Sequence, residues 1–376
     1  MPLIATPEQE ELRRSLRRFL QQVSGREQVR ALLTDDAGYD PAVWHRMATE
    51  LGLQGLALPE QFGGSGATFA ELGVVFEEFG RALVCAPFLS SVVLAGHVLL
   101  AVDDPPAQAR WLPGIADGTL LATLAVPAGA GHDRAAPLPQ ATASAGDWRL
   151  DGTVMFVPDA QIAQLLLIAA RTPAGTSVFA VRAGATGLDR TALPNIDLTR
   201  RVSRVDLHAT PAELIGPQGG ADAALQRALQ LATVALAAEQ VGGAQACLDM
   251  AVGYACTREQ FGRPIGSFQA IKHQCADLQV QVVSARSAAT WACGIASGEQ
   301  DPAQLPLAAA LAGAYCADAF VTAAKANVQI HGGIGFTWEH DAHLYLKRAK
   351  SGQLLLGTPD QHRDTAARLM GIAHEQ

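Results

Sequence analysis

The sequence predicts a multi-domain α+β protein with an N-terminal α-helical domain, a central antiparallel β-sandwich or barrel, and a C-terminal α-helical bundle. The chain has 376 residues, which is enough for two or three domains. Helical periodicity occupies both ends of the chain, and short apolar runs separated by turn residues occupy the middle. We therefore expect domains at residues 1–117, 118–218 and 219–376.

The N-terminal third carries the signals of several helices. A capping hydroxyl at Thr6, an early proline and three glutamates predict a helix start, because carboxylates favour the positive end of the helix dipole. Further helices are expected at residues 41–51 and 68–81, with a loop at 55–64 that contains a proline and a glycine pair. The uncharged stretch 82–102 is long enough to cross a membrane, but its proline, serines and histidine favour a buried helix.

Short apolar runs alternate with turn residues between about residues 119 and 216. Asp151–Gly152 and Ala174–Gly175 predict tight turns between strands. Because no helical segment separates these strands, an antiparallel sandwich or barrel is expected. The segment 128–145 is rich in alanine, glycine and proline, and we interpret it as a loop.

The C-terminal part of the chain returns to helical periodicity. Helices are expected at five segments: residues 222–257, 267–297, 302–330, 339–355 and 360–372. Long helices joined by short connections form a bundle. The third of these helices is rich in alanine, which suits close helix packing rather than contact with lipid.

Composition and charge exclude several classes of protein. With 28 basic and 36 acidic residues the net charge is −8, and no basic cluster is present, so nucleic-acid binding is not expected. The six cysteines form no C-x-x-C pair, which argues against a metal site and indicates free thiols in a reducing compartment. Acidic residues precede any apolar region at the N-terminus, so we expect a cytoplasmic protein with no signal peptide and no membrane contact.

Three stretches carry recognisable motifs: LGLQGLALPEQFGG at residues 51–64, TREQFGRPIGSFQ at 257–269 and QIHGGIGFTWEHD at 329–341. Together they resemble the acyl-CoA dehydrogenase family, in the family's order and at its separations. The resemblance covers essentially the whole chain and includes the helical–β–helical layout. It implies an acyl-CoA substrate, FAD as cofactor and an electron-transferring flavoprotein as electron acceptor. In this chemistry a carboxylate removes an α proton while the β hydride passes to the flavin.

The resemblance implies that several residues contact FAD across a subunit interface. Arg258 and Phe261 match the family's R-x-x-F motif, and Gln329, Gly332 and Gly333 match its Q-x-x-G-G motif. An arginine offers a planar fork of donors to a pyrophosphate, and glycines permit a close backbone approach. On the residues alone, the same positions would also suit a helix C-terminus with a core phenylalanine and a helix-ending turn.

Further FAD contacts are implied within the chain, although two family threonines are missing. Thr358 falls on the family's E-G-T motif, and Gln260 and Phe156 also fall within matched stretches. The threonines that meet the flavin ring are replaced by Ala125 and Pro158, and proline has no N–H to substitute. The loop at residues 128–133 is about one residue longer than its family counterpart.

The position of the family's catalytic glutamate is occupied by Leu356, which cannot accept a proton. Some family members carry the base on the first helix of the bundle instead. Counting back from the R-x-x-F motif reaches Ala232 or Thr233, and neither is a carboxylate. Glu239 lies about two helical turns further along and is a candidate for the base. The competing interpretation of Glu239 is a solvated or interface carboxylate.

The family residues that are missing are those that would contact the chain's own flavin ring and act as its base. The residues that the family offers to another subunit's FAD are retained. This pattern resembles one half of the heteromeric bacterial acyl-CoA dehydrogenases of steroid degradation. We therefore expect an FAD-dependent acyl-CoA dehydrogenase subunit whose homologous partner chain, in a dimer or tetramer, supplies the base. The alternatives are a self-sufficient homo-oligomeric enzyme with an unrecognised base, a non-catalytic acyl-CoA- or flavin-binding assembly subunit, and a family member with base-free elimination chemistry.

Overall fold

Helices form the N-terminal part of the computed structural model, which describes residues 5–127, 137–144, 147–298 and 301–372. The helices are α1 (Pro7–Val23), α2 (Arg26–Leu33), α3 (Pro41–Thr49), α4 (Phe69–Arg81), α5 (Gly96–Ala101) and α6 (Pro105–Ala116). The start of α1 is as predicted, because the Thr6 hydroxyl accepts a hydrogen bond from the N–H of Gln9 in a capping box. A π-helical segment at Leu89–Ala95 leads directly into α5, and both are largely buried.

The middle of the chain forms a seven-stranded sheet. Its strands are β1 (Ala122–Ala125), β2 (Gln140–Ser144), β3 (Asp147–Pro158), β4 (Leu165–Thr172), β5 (Gly175–Arg182), β6 (Leu188–Ala192) and β7 (Val202–Ile215). The pairings β4–β2–β3–β7–β5–β4 close into a ring, with β1 beside β4 and β6 beside β7. The predicted barrel is therefore confirmed, although β1–β4 and β2–β4 are parallel pairs.

Two expectations for this region were wrong. Asp151–Gly152 does not form a turn between strands but lies inside β3, where Gly152 has a φ of 140° at a register shift. The shift is a β-bulge, and a bulge calls for the same glycine that a turn does. The segment 128–145 is not entirely a loop, because β2 pairs with β3 over five residues. Its small and polar residues carry little strand signal of their own, and pairing with β3 decides the outcome. Residues 128–136, which include the longer loop, lie outside the described part.

The C-terminal helices surround one long central helix. They are α7 (Asp222–Thr257), α8 (Gln269–Ala296), α9 (Leu305–His331), α10 (Gly333–Phe336), α11 (Ala342–Leu355) and α12 (Pro359–Leu369). A two-stranded hairpin, β8 (Glu259–Gln260) and β9 (Arg263–Pro264), links α7 to α8. Helix α7 packs against α4, α8 and α9, and so connects the two helical regions.

Two glycines bring α4 and α7 into backbone contact. A Cβ on Gly242 would collide with the carbonyl of Glu77, and a Cβ on Gly80 would collide with the carbonyl of Glu239. The close approach places Glu239 in the interior between the two helices. Among the described residues, one helical stretch, Pro302–His331, has the length and composition of a membrane span. Because 72% of its apolar window is buried by neighbouring elements, we assign it to the core of the bundle.

Candidate functional site

The hairpin at the end of α7 carries three of the residues identified from the sequence. Arg258 caps α7, where its N–H donates to the Tyr254 carbonyl at 2.8 Å and its own carbonyl accepts from Ile265 at 2.8 Å. These bonds fix the backbone of Arg258 but leave its side chain exposed. The guanidinium makes no hydrogen bond or ion pair within the described residues. A fork of charged donors is thus presented at the surface.

The tip of this hairpin exposes an aromatic ring in a strained conformation. Phe261 has a φ of 55° and is 90% exposed, and Gly262 follows with a φ of 75°. Two successive positive φ values match a tight hairpin turn, but a phenylalanine there is unfavourable in isolation. The side chain of Gln260, also exposed, donates to the neighbouring Glu259 carbonyl at 3.0 Å. The hairpin tip therefore has the character of a contact surface for another molecule.

The Q-x-x-G-G residues lie at the end of α9. Gln329 is exposed in the last helical turn, and its carbonyl accepts from the N–H of Gly332 at 3.1 Å. Gly332 has a φ of 65°, which ends the helix. Nothing lies within 4 Å of a Cβ built on Gly332 or Gly333. Internal packing therefore does not require a glycine at Gly333, and the backbone of both residues is open to a ligand from outside.

The structure brings these two motifs together at one end of the bundle. The ring of Tyr254, which is bonded to Arg258 through the backbone, stacks on His331 with a centroid separation of 4.3 Å. His331 directly precedes Gly332, and its Nδ1 lies 2.8 Å from the Asn327 carbonyl. Burial lowers the pKa of His331, so the imidazole is neutral near pH 7. The stacking of Tyr254 on His331 thus joins the two candidate FAD-binding segments, at Arg258 and at Gly332.

The end of β3 lies elsewhere, where the resemblance places the chain's own flavin ring. Ala125 is fully buried at the end of β1, and Pro158 is buried at the end of β3 with its carbonyl accepting from the Thr123 hydroxyl at 2.6 Å. Phe156 is half-buried, with a φ of 58°, in a second bulge of β3. Neither Ala125 nor Pro158 has a side-chain hydrogen-bond donor for a flavin, and Pro158 lacks a backbone N–H as well.

Glu239 is held in a buried ion network close to this strand end. Its carboxylate accepts from Nη2 of Arg200 at 3.0 and 2.8 Å and from Nε of Arg348 at 2.9 Å. Nη1 of Arg348 also donates to the carbonyl and hydroxyl of Thr199. Burial acts to raise the pKa of Glu239, but the two guanidinium groups hold it below its ordinary value. A carboxylate held in this way is a poor proton acceptor, because a general base works best with a pKa near the operating pH.

The space around this network is filled. Pro158, Glu239 and Arg348 line a cavity of about 20 Å³, together with Phe88 and Asp159. A volume of this size has room for about one water molecule. Pockets that enclose an organic ligand are typically on the order of 300–1,000 Å³. This cavity beside Pro158 is therefore too small for a flavin ring.

The loop between α11 and α12 carries Leu356 and Thr358. Leu356 is half-buried and packs against the main hydrophobic core. Thr358 forms a capping box at the start of α12, in which its hydroxyl accepts from Gln361 at 3.2 Å and its N–H donates to the Gln361 side chain at 2.9 Å. The N–H of Thr358 is thus used within the chain, whereas its hydroxyl, which accepts here, still carries an O–H donor.

Sequence reasoning missed the two arginines that bind Glu239. Arg200 lies in a loop, and no periodic pattern marks it as buried. Arg348 offered a signal, because it lies on the same face of α11 as the buried residues Leu344 and Tyr345. A charge on an otherwise buried face of a helix predicts a buried partner.

Family comparisons agree with this architecture. Residues 6–119 match the model of the acyl-CoA dehydrogenase N-terminal domain, and residues 218–371 match that of the C-terminal domain. Acyl-CoA dehydrogenase IpdE2 of Mycobacterium tuberculosis is 35% identical over 352 residues, which cover 94% of each chain. The chain belongs to the acyl-CoA dehydrogenase family. Its members are oxidoreductases that act on CH–CH donors and are flavoproteins, normally with FAD.

Solved structures of acyl-CoA dehydrogenases have the same fold. A chain of the ChsE4–ChsE5 complex from Mycobacterium tuberculosis superposes with a TM-score of 0.90 at 29% identity, covering 100% of both chains. A chain from a variant of the Tcur3481–Tcur3483 steroid ACAD gives a TM-score of 0.87 at 31% identity, covering 97% of this chain and 98% of that one. The fold, family and enzyme class expected from the sequence are therefore confirmed.

Proposed function

We propose that this chain is a subunit of an FAD-dependent acyl-CoA dehydrogenase that introduces an α,β double bond into an acyl-CoA thioester. A homologous partner chain supplies the catalytic base and holds the flavin ring. The observation that carries this proposal is the contrast between two sets of arginines. Arg200 and Arg348 are buried and paired with Glu239, beside the Pro158 end of β3 where the resemblance places the chain's own flavin ring. Arg258, in contrast, is exposed with its guanidinium unpaired among the described residues.

The chain's contribution to the reaction is to bind and orient. Arg258 offers two parallel N–H donors to pyrophosphate oxygens, which is the geometry in which arginine binds phosphates most strongly. Gly332 and Gly333 allow the backbone to approach the nucleotide half of the cofactor, and Phe261 covers it from solvent. When bound, FAD supplies the hydride acceptor for the β carbon of the substrate. The α proton leaves to a carboxylate of the partner, because neither Leu356 nor Glu239 can accept it.

The relatives support a heteromer and a bulky substrate. The ChsE4–ChsE5 structure is that of a complex of two differently named chains, and the Tcur3481–Tcur3483 protein is named a steroid ACAD. By this similarity we propose a steroid-derived or other lipid acyl-CoA as substrate, and an electron-transferring flavoprotein as acceptor. All six cysteines are free, which supports a cytoplasmic location.

Activity with and without the partner tests this proposal. The chain is purified alone and also co-purified with each homologous acyl-CoA dehydrogenase chain encoded near it. The assay is acyl-CoA-dependent reduction of an artificial electron acceptor. We expect no turnover by the chain alone and clear turnover by one co-purified pair. Robust turnover by a demonstrably homomeric preparation would show that the base lies within this chain.

A further inference from the structure

Helix α2 is connected to the segment that follows α9 mainly through the side chain of Arg30. Nη1 of Arg30 donates to the Trp338 carbonyl at 2.5 Å, and Nη2 donates to the His340 carbonyl at 3.1 Å. Nε and Nη2 of the same guanidinium donate to Oδ1 of Asp341 at 3.0 and 2.6 Å. One planar group thus binds three positions within four residues. The fork geometry of arginine permits this, and a lysine cannot reproduce it.

The segment from residue 332 to residue 341 has few other connections to the N-terminal helices. Its backbone hydrogen bonds are local. Phe336 is 77% exposed and Trp338 is 58% exposed. The ring contacts of the segment are to α9 and α11, since His340 lies 4.2 Å from His331 and Trp338 lies 4.7 Å from His343 between ring centroids. Within the described residues, Arg30 supplies the hydrogen bonds between this segment and the N-terminal helices. Arg26 adds an ion pair to the carboxylate of Asp341 at 3.3 Å. Arg30 is therefore the main link between the segment and α2.

The other end of the same segment begins at Gly332 and Gly333. Under the function proposed above, these glycines approach FAD held by the partner chain. A shift of the segment would move their backbone away from the cofactor. We propose that Arg30 is a positioning residue that sets the FAD-contacting backbone of Gly332 and Gly333 by fixing the far end of their segment. This inference rests on the proposed function.

The test uses the co-purified pair, stripped of flavin and titrated with FAD. We expect Arg30→Ala to raise the Kd for FAD by about ten-fold or more, because three backbone and carboxylate contacts are lost together. Arg30→Lys keeps a charge near Asp341 but not the fork, so it should show an intermediate increase. At saturating FAD the KM for acyl-CoA should stay unchanged, which a general loss of structure would not produce. Arg14→Ala, which removes an exposed arginine paired with Glu11 on α1, is the matched control and should leave the Kd unchanged.

The outcomes separate this inference from the proposed function. If Arg258→Ala weakens FAD binding and neither Arg30 variant does, the positioning role is wrong and the proposed function stands. If none of the three variants affects the Kd, both are wrong. Should Arg30→Ala fail to assemble with the partner, Arg30→Lys decides, and a Kd equal to that of the unmodified pair overturns the inference.

Discussion

Arginine has opposite roles in the interior of the molecule and at the end of the bundle that carries the β8–β9 hairpin. In the interior, Arg200 and Arg348 are buried and both bind Glu239. At the end of the bundle, Arg258 is exposed beside the strained and exposed Phe261. A buried charge must be compensated within its own chain, whereas an exposed unpaired guanidinium is available to another molecule. This difference supports our proposal that the chain contributes to the reaction through its outer surface rather than through its interior.

The largest expected effect is on stability, from Glu239→Gln. The substitution removes the charge that compensates two buried guanidinium groups, so the free energy of unfolding should fall by about 3–5 kcal/mol. Urea unfolding of the purified chain measures this. Glu50→Gln is the control, because Glu50 pairs with Arg46 at the surface and its loss should change stability by less than about 1 kcal/mol. A variant with unchanged stability but abolished turnover in the pair would instead identify Glu239 as a base.

The next effect is on cofactor retention, from Arg258→Ala. A charge-assisted hydrogen bond contributes about 1.5–3 kcal/mol, so the Kd for FAD in the pair should rise by roughly 10- to 150-fold. Equilibrium titration followed by flavin fluorescence measures the change. Because the side chain makes no bond within the described residues, the stability of the chain alone should be unaffected. A lower stability without any change in Kd would contradict the interface role.

Asp159, which follows Pro158, provides a pH test of the closed interior. Burial raises its pKa to about 6, although the Ser90 hydroxyl bonded to its Oδ2 at 2.6 Å acts in the opposite direction. The folded chain therefore binds this proton more tightly than the unfolded chain does. Stability should fall as the pH rises from about 4 to about 6 and should show no further change from this group above that.

Asp159→Asn should remove this component of the pH dependence. Urea midpoints measured between pH 4 and pH 7 should then show a smaller loss of stability with rising pH than the unmodified chain. An identical pH profile in the two proteins would mean that Asp159 is well solvated. The space at the end of β3 would then be open to water rather than closed.

The smallest expected effect is on activity, from Leu356→Glu. The substitution restores the family's residue at the position of the base, but Ala125 and Pro158 still lack the hydroxyl groups that the family's threonines offer to a flavin ring. Turnover by the chain alone should therefore stay absent, and turnover by the pair should not change. The acceptor-reduction assay measures both. A large gain by the chain alone would make it an independent enzyme with a damaged site.

The fold was predictable wherever the signal is local. The capping box at Thr6 and the long apolar periodicity of α7 and α9 are properties of neighbouring residues, and the structure has these helices where the pattern indicates. The sheet was less predictable, because strand pairing is decided by distant partners. Gly152 shows the limit, since a bulge inside β3 and a turn between strands call for the same residue.

In the candidate site too, local motifs could be predicted from the sequence and contacts between distant residues could not. The motifs at Arg258 and Gln329 are contiguous in the sequence and could be identified there. The network around Glu239 could not, because Arg200 and Arg348 lie 39 and 109 residues away from it along the chain. The charges come together only because α7 packs against α11 and the loop before β7 reaches the same place. A candidate base thus became a buried ion pair once its neighbours were known.

The flavin stoichiometry of the assembled protein tests the central claim most directly. The chain is purified alone and with its partner, and bound FAD is measured by absorbance against protein concentration. We expect no bound flavin in the chain alone, one FAD for each pair of chains, and a lower FAD content of the pair after Arg258→Ala. One FAD retained per chain by the homomer, or two per pair, would contradict the central claim, because the interior closed by Arg200, Glu239 and Arg348 would then hold a flavin.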